Sequence, residues 1–356
     1  MESTGEIAWF RDEIWRSLVR PRDFARDLGR EHYGLAGVLV AIFAGFGLSV
    51  GIDLLVLASK DVPINTFGPR LVLDGALLGV RVVVSAAIVA WIASGAVRLM
   101  RQRGGSLDQL FTALTFALAP LILAPLPALL TVLVVTPATL TLAALLVLVL
   151  VLRVLAGLVF NIRGILPPQV AVVSFVIVLA LGALVLNDQI SRMRFLAYSV
   201  APQIVPTFAT APATGQRYAL DGFEITMPTG WKQGSGGVPG EAARFESTNA
   251  TLVVLRARGA ALDTADTYAN LVAAPQLVGV NERWERRDVV RINDAVVVDD
   301  SYGGVYEGRQ VVWRQFTAVP GVQGLALLYH IVEPADREAS LFEAATIAAT
   351  WRLTAR

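Results

Sequence analysis

The sequence predicts a membrane all-α bundle of about five transmembrane helices followed by a soluble α+β domain, an antiparallel sheet with two helices. Two observations carry this reading. Of 356 residues 55% are hydrophobic and 17% charged, and the mean hydropathy of +0.59 exceeds what a soluble core requires. The excess is also uneven: Tyr33 to Asn187 reads as long apolar runs, whereas Arg217 to Arg356 has ordinary soluble composition. The chain therefore divides into a cytoplasmic amphipathic segment at 1–32, a transmembrane domain at 33–190, a linker at 191–216 and an extracytoplasmic domain at 217–356.

Ile7, Phe10, Ile14 and Leu18 recur at helical spacing, with Trp9 and Trp15 beside them and Arg11 and Arg16 on the wet side. Such a helix either lies in the membrane interface or packs on the cytoplasmic face of the bundle. Pro21 ends it. The charged start up to Glu31 lacks the basic opening and short apolar core of a cleaved leader, so the first span is expected to target the membrane and remain.

A span needs roughly 20 apolar residues. Five segments qualify: Ala36 to Ala58, Leu71 to Val97, Leu110 to Thr136, Leu140 to Phe160 and Val170 to Asn187. In the third, Pro120, Pro125 and Pro127 each remove a backbone donor, which predicts either a kinked helix or two half-helices. A static kink is preferred to a gating hinge, because the chain lacks the internal repeats common in transporters.

Arg11, Arg16, Arg20, Arg22, Arg26, Arg30, Arg98, Arg101, Arg103 and Arg163 fall on one side of these spans. Lys60, Arg70, Arg192 and Arg194 fall on the other. The richer side is cytoplasmic by the positive-inside rule. Five spans then place the C-terminal domain outside, at the outer face of a bacterial inner membrane, although Arg192 and Arg194 run against the trend.

Pro202, Pro206 and Pro212 among Ala and Thr predict a hinged tether. Beyond it, strands are expected at Phe223 to Met227, Thr251 to Ala257, Ala295 to Asp299, Gln310 to Val319 and Leu325 to Val332. Gly303-Gly304, Glu307-Gly308 and Pro320-Gly321 read as turns. One helix should open at Asp263 and bury Tyr268, Leu271 and Val272; another, near Ala335 to Thr350, should bury Leu341, Ala345 and Ala348.

With these elements in place, the membrane half resembles the Yip1 domain family. The features are Arg20-Pro21-Arg22-Asp23-Phe24 before the first span, Gly-Gly-Ser-Leu at Gly104 to Leu107, Pro120 within the third span, and five spans in all. Eukaryotic members are membrane-trafficking proteins that contact small GTPases; for this chain the resemblance implies architecture. The soluble half resembles the PsbP, Mog1 and DcrB group of α+β domains. Tyr218 to Trp231, ending Met227-Pro228-Thr229-Gly230-Trp231, the helix around Tyr268, and the last helix with Trp351-Arg352-Leu353 carry that resemblance.

A formal charge of +1 without an interleaved basic patch points away from nucleic acid. Cysteine is absent and the histidines are His32 and His330, so no metal site or cofactor is expected. The costliest residues are ionisable groups at membrane depth: Asp53, Asp74, Arg81 and Arg153. Asp74 and Arg81 lie two turns apart on one helix face, and with Asp53 and Asp74 both in the outer half an Arg81 ion pair with one or both is geometrically open. Either the cluster lines a cavity for an ion, proton or lipid headgroup, or it fixes helix packing while Arg153 snorkels. Packing is preferred.

In the soluble domain, Asp299 and Asp300 point to opposite faces of a strand and His330 lies in an apolar strand, which suits core structure better than catalysis. Trp231, Trp284, Trp313 and Trp351 are expected mostly in the core. No catalytic residues are assigned. The expected function is a non-enzymatic membrane protein anchoring an extracytoplasmic domain that binds a protein or small ligand. The rival is a transporter or lipid-handling protein using the Asp/Arg cluster.

Overall fold

A computed structural model describes residues 3–27, 35–100, 106–276 and 281–354. It resolves into two compact units, one comprising 1–58 with 63–193 and the other 59–62 with 194–356.

The first unit is helical. α1 (Ser3–Val19) and α2 (Pro21–Asp27) precede the long helices α3 (Leu35–Ser59) and α4 (Gly68–Leu99). α5 (Leu107–Ala117), a 3-10 segment (Ala119–Leu123) and α6 (Pro125–Leu133) follow, then α7 (Pro137–Ile165), α8 (Pro168–Val185) and α9 (Asn187–Val200). Five apolar stretches are long enough to cross a membrane: Leu35–Ser59, Gly68–Leu99, Leu107–Thr131, Pro137–Ile165 and Pro168–Val185. Large side chains such as Val72, Trp91, Leu145 and Val176 are exposed on them, as lipid contact requires.

α1 takes the packed alternative. Trp9, Phe10, Ile14 and Leu18 pack on a cluster of Phe24, Val40, Ala113 and Phe116, while Ile7 and Trp15 stay exposed. Ser106 caps α5 through a reciprocal capping box, its side chain accepting from the Gln109 N–H at 3.2 Å and its own N–H donating to Gln109 Oε1 at 2.9 Å. Gly104 and Gly105 of the same motif lie outside the described residues.

The third apolar run is broken into two half-helices. Pro120 sits in the 3-10 segment and Pro125 opens α6 at its first turn, where a missing donor costs nothing. Pro127 follows within that turn. Between them the chain uses tighter bonds, Leu121 N–H to Leu118 O at 2.9 Å and Ala124 N–H to Leu121 O at 3.1 Å.

Small residues let backbones meet inside this chain. A Cβ on Gly45 would lie 2.7 Å from Gly79 Cα, and one on Gly51 would lie 2.7 Å from the backbone of Ala124. α3 thus packs on α4 along one glycine face and on the broken segment along another.

The second unit is an α+β domain. Its strands are β1 (Gly215–Leu220), β2 (Phe223–Pro228), β3 (Lys232–Gln233), β4 (Glu241–Glu246), β5 (Ala250–Arg258), β6 (Asn281–Ile292), β7 (Ala295–Tyr306), β8 (Arg309–Ala318), β9 (Gln323–Val332) and β10 (Arg352–Leu353). α10 (Ala265–Gln276) lies between β5 and β6, and α11 (Arg337–Ala348) precedes β10. The large sheet runs β3-β4-β5-β9-β8-β7-β6 and the small one β1-β2-β10, with antiparallel neighbours throughout.

Alternation sorts the side chains between two cores. Leu252, Val254, Leu327 and Tyr329 join Phe223, Ile225, Ile347 and Trp351 on the face that carries α11 and the small sheet. Val253, Leu255, Ala326 and Leu328 join Tyr268, Val272 and Trp313 on the face that carries α10. Trp231 belongs to the first core, and the Trp284 side chain lies outside the described residues.

Several expectations are corrected. Gly303-Gly304 is not a turn: both lie inside β7, where a Cβ on Gly303 would meet Glu285 Oε1 at 2.7 Å, so glycine makes room for the Arg337–Glu285 ion pair. α10 is capped by Thr264, whose hydroxyl accepts the Thr267 N–H at 3.1 Å, rather than by Asp263. Leu271 is 60% exposed instead of buried. Residues 191–216, expected as a linker, carry regular structure and specific contacts. Their first part continues α9, and their second is a strap docked on the sheet domain: Phe208 N–H donates to Arg291 O, Arg291 N–H to Pro206 O, and Ala213 N–H to Thr346 O at 2.9, 2.8 and 2.9 Å. Phe208 meets Phe316 edge-on at 5.8 Å, adding an aromatic contact to these backbone bonds.

Candidate functional site

The predicted intramembrane residues separate into three places. Asp53, on α3, is fully buried. Its carboxylate is bound by the guanidinium of Arg192 from α9 and, at 3.4 Å, by Ser49 one turn earlier. Arg192 also reaches Asp74 of α4 at 3.4 Å, and Arg70 stands 3.8 Å from the same Asp74 oxygen. Two carboxylates and two guanidinium groups thus share one compact network, with its formal charges balanced.

Arg81 is not the cation of this network. It stands 3.7 Å from Asp188, with side chains 58% and 59% exposed. Arg153 is elsewhere again: its Nη2 donates to the Leu18 carbonyl at 2.8 Å, satisfying an acceptor in the last turn of α1. Sequence reasoning missed Arg192 as a partner. Its signal was its place among the basic residues that contradicted the topology trend.

In the sheet domain, Asp299 and Asp300 leave β7 on opposite faces. Asp299 takes a two-point contact from Arg314 at 2.9 and 2.8 Å, and Arg314 also donates to Leu341 O at 2.7 Å. Asp300 takes a two-point contact from Arg287 at 2.6 and 2.9 Å, and Arg287 also reaches Asp266 and Asn270. Burial pushes the Asp300 carboxyl up despite its arginine. Each acid is committed to its own partner, a structural arrangement. His330 stacks on Trp313 at 5.1 Å and burial lowers its pKa. Glu343 on α11 accepts from Trp231 Nε1 at 3.1 Å and Tyr329 Oη at 3.0 Å, and burial beside that carboxylate raises the phenol.

A polar concavity in the sheet domain lies between the strap and the small sheet, with a volume of about 880 Å³. Cross-strand register builds one wall: Arg352 pairs with Glu224, Glu224 with Ala219, and Arg217 with Thr226, all on the face turned away from Phe223 and Ile225. Arg217 forms an ion pair with Glu224. The opposite wall carries Arg291, whose Nη2 donates to Thr207 Oγ1 at 2.9 Å. Asn293 holds the turn at its floor in a left-handed conformation, φ +50°, which asparagine tolerates, and donates to the Trp351 carbonyl. Three arginines face two carboxylates, Glu224 and Asp294, with the hydroxyls of Thr207, Thr210, Thr226 and Thr350 around them. Such a surface suits an anion. Among the described residues no group of three or more His, Asp or Glu side chains is placed to hold a metal ion.

Residues 15–187 match the family model for the Yip1 domain. No curated protein matches the chain. Among solved structures, the chain is similar to the solution structure of cyanobacterial PsbP (CyanoP) from Synechocystis sp. PCC 6803. The identity is 18%, the coverage 39% of this chain and 92% of that one, and the TM-score 0.31. A crystal structure from Bacteroides thetaiotaomicron VPI-5482 is similar at 13% identity, covering 40% of this chain and 49% of that one, with a TM-score of 0.30.

Proposed function

We propose that this multi-pass membrane protein, which carries a Yip1 domain match over residues 15–187, is a non-enzymatic anchor for an extracytoplasmic binding domain. In this reading the N-terminal segment is cytoplasmic, the membrane is a bacterial inner membrane, and the C-terminal domain captures an anionic small molecule or an acidic segment of a partner. The observation that carries the binding role is the groove in which Arg217, Arg291 and Arg352 outnumber Glu224 and Asp294. Guanidinium forks among hydroxyls recognise carboxylates and phosphates by paired hydrogen bonds. The Asp53–Arg192–Asp74 network is a fastening between helices rather than a transport site, because each charge is met by an opposite one.

The test has two parts. Reporter fusions at Gly104 and Arg356 establish the sides of the membrane: Gly104 inside with Arg356 outside supports the reading, and both inside rejects it. Citrate and inorganic phosphate are then titrated against the full chain in detergent. Stabilisation that disappears in Arg352→Gln supports the groove as the site; stabilisation equal in wild type and variant assigns binding elsewhere.

A further inference from the structure

Within the helical unit an apolar groove of about 100 Å³ runs between α3, α4, α5, α7 and α8. Leu48, Val89, Leu114, Leu158 and Leu181 line it, and Ser85 is the one side chain in its wall that carries an oxygen. Gly182 keeps the α8 side open: a Cβ built there would meet nothing within 4 Å. α8 is also the least covered of the five spanning stretches, with 17% of its residues buried, so this seam borders the helix most exposed to lipid.

The groove has a polar end. Arg81 precedes Ser85 by one helical turn on the same face, and Asp188 follows Val185 by three residues. These two form the ion pair at 3.7 Å, more than half exposed on both sides. The apolar run of α8 stops at Val185, so the pair stands where hydrocarbon gives way to headgroups. An ion pair this exposed is weak and readily exchanged for another anion.

A hydrocarbon seam ending at an exchangeable guanidinium is the complement of an amphiphile. We propose that the seam holds a segment of a few methylenes of one acyl chain of an anionic phospholipid from the bilayer, with its phosphate on Arg81 in place of Asp188. Zwitterionic lipid fits less well, since its own ammonium cancels the attraction that Arg81 supplies. The site is independent of the groove in the sheet domain.

The test uses the full chain in phosphatidylcholine vesicles containing a small share of phosphatidylglycerol with a photoreactive group in mid-chain, with labelled peptides mapped by mass spectrometry. Label is expected to concentrate on 44–48 and 178–186 over outward positions such as Val172 and Leu145. Gly182→Phe should reduce seam labelling about tenfold while sparing those outward positions, and Ser85→Leu, from the opposite wall, should do the same. Arg81→Gln should cut the preference for phosphatidylglycerol over the matching phosphatidylcholine probe about fivefold. Uniform labelling of the spans, seam labelling that survives both filling variants, or a preference unchanged in Arg81→Gln overturns the proposal. Elution and melting matched to wild type serve as the folding control, and Gly182→Leu replaces the larger variant if it fails that control.

Discussion

Arg192 holds Asp53 across 139 residues of sequence, joining the helix after the last apolar run to the first. Asp53 is fully buried and the Arg192 side chain is 12% exposed, so removing either partner strands a charge out of water. Arg192→Leu is expected to cost about 3–5 kcal/mol, and the double variant Asp53→Leu with Arg192→Leu to recover much of it. Helix melting of the detergent-purified chain checks this; a single variant within about 1 kcal/mol of wild type would show that the pair does not fasten these helices.

Gly45 and Gly79 bring α3 and α4 into backbone contact. A side chain at Gly45 has no room to swing away, since the nearest atoms are backbone. Gly45→Val should therefore destabilise the helical unit by about 1–3 kcal/mol. A glycine with no partner in the same chain would tolerate that change. A melting temperature unchanged in dilute detergent, with weakened self-association instead, would move the contact to a dimer interface.

Phe208 fastens the strap, with Phe316 edge-on and the Arg314 guanidinium 5.9 Å from its ring centre. Phe208→Ala should loosen the strap locally by about 1–2 kcal/mol, raising the rate of thermolysin cleavage between Thr207 and Thr214 about tenfold. A strap already cut at the rate of a free linker in wild type would restore the tether.

Two groups give the sheet domain an acid dependence with a defined sign. Burial lowers the pKa of His330, so its contribution is present above the unfolded value of 6.5 and is lost as pH falls through the folded one. The hydrogen bond from Arg244 lowers Glu241; burial opposes it, and the Gly237 and Val238 N–H groups add to the lowering. Its contribution is present above the unfolded value of 4.5 and is lost on further acidification. His330→Phe should flatten the first step and Glu241→Gln the second. Denaturant unfolding followed by near-ultraviolet circular dichroism reads both, and a variant curve parallel to wild type in its own window removes that assignment.

Some of this organisation was readable from local pattern. The five apolar runs appear at nearly the expected positions, four as single helices and the third as two half-helices, because run length and hydropathy act on each segment separately. β5, β8 and β9 were legible for a similar reason: central strands bury both faces and read as apolar runs. β6 escaped notice. It is an edge strand whose Arg286, Arg287 and Asp288 are spent on ion pairs, so its charges imitate a loop. The docking of the strap leaves no trace in local pattern, because its prolines look like linker chemistry and its anchoring aromatic, Phe208, gives no periodic signal.

The sequence by itself determined which solvent each half requires, since hydrophobicity summed over about 20 residues outweighs any single contact. It also singled out Asp53 and Asp74 as charges that demand partners. Only the tertiary structure decided that the partner is Arg192 rather than Arg81. An ion pair between distant segments depends on how helices pack and rotate against one another, and that register is set by glycine contacts and side-chain shape spread over the whole bundle.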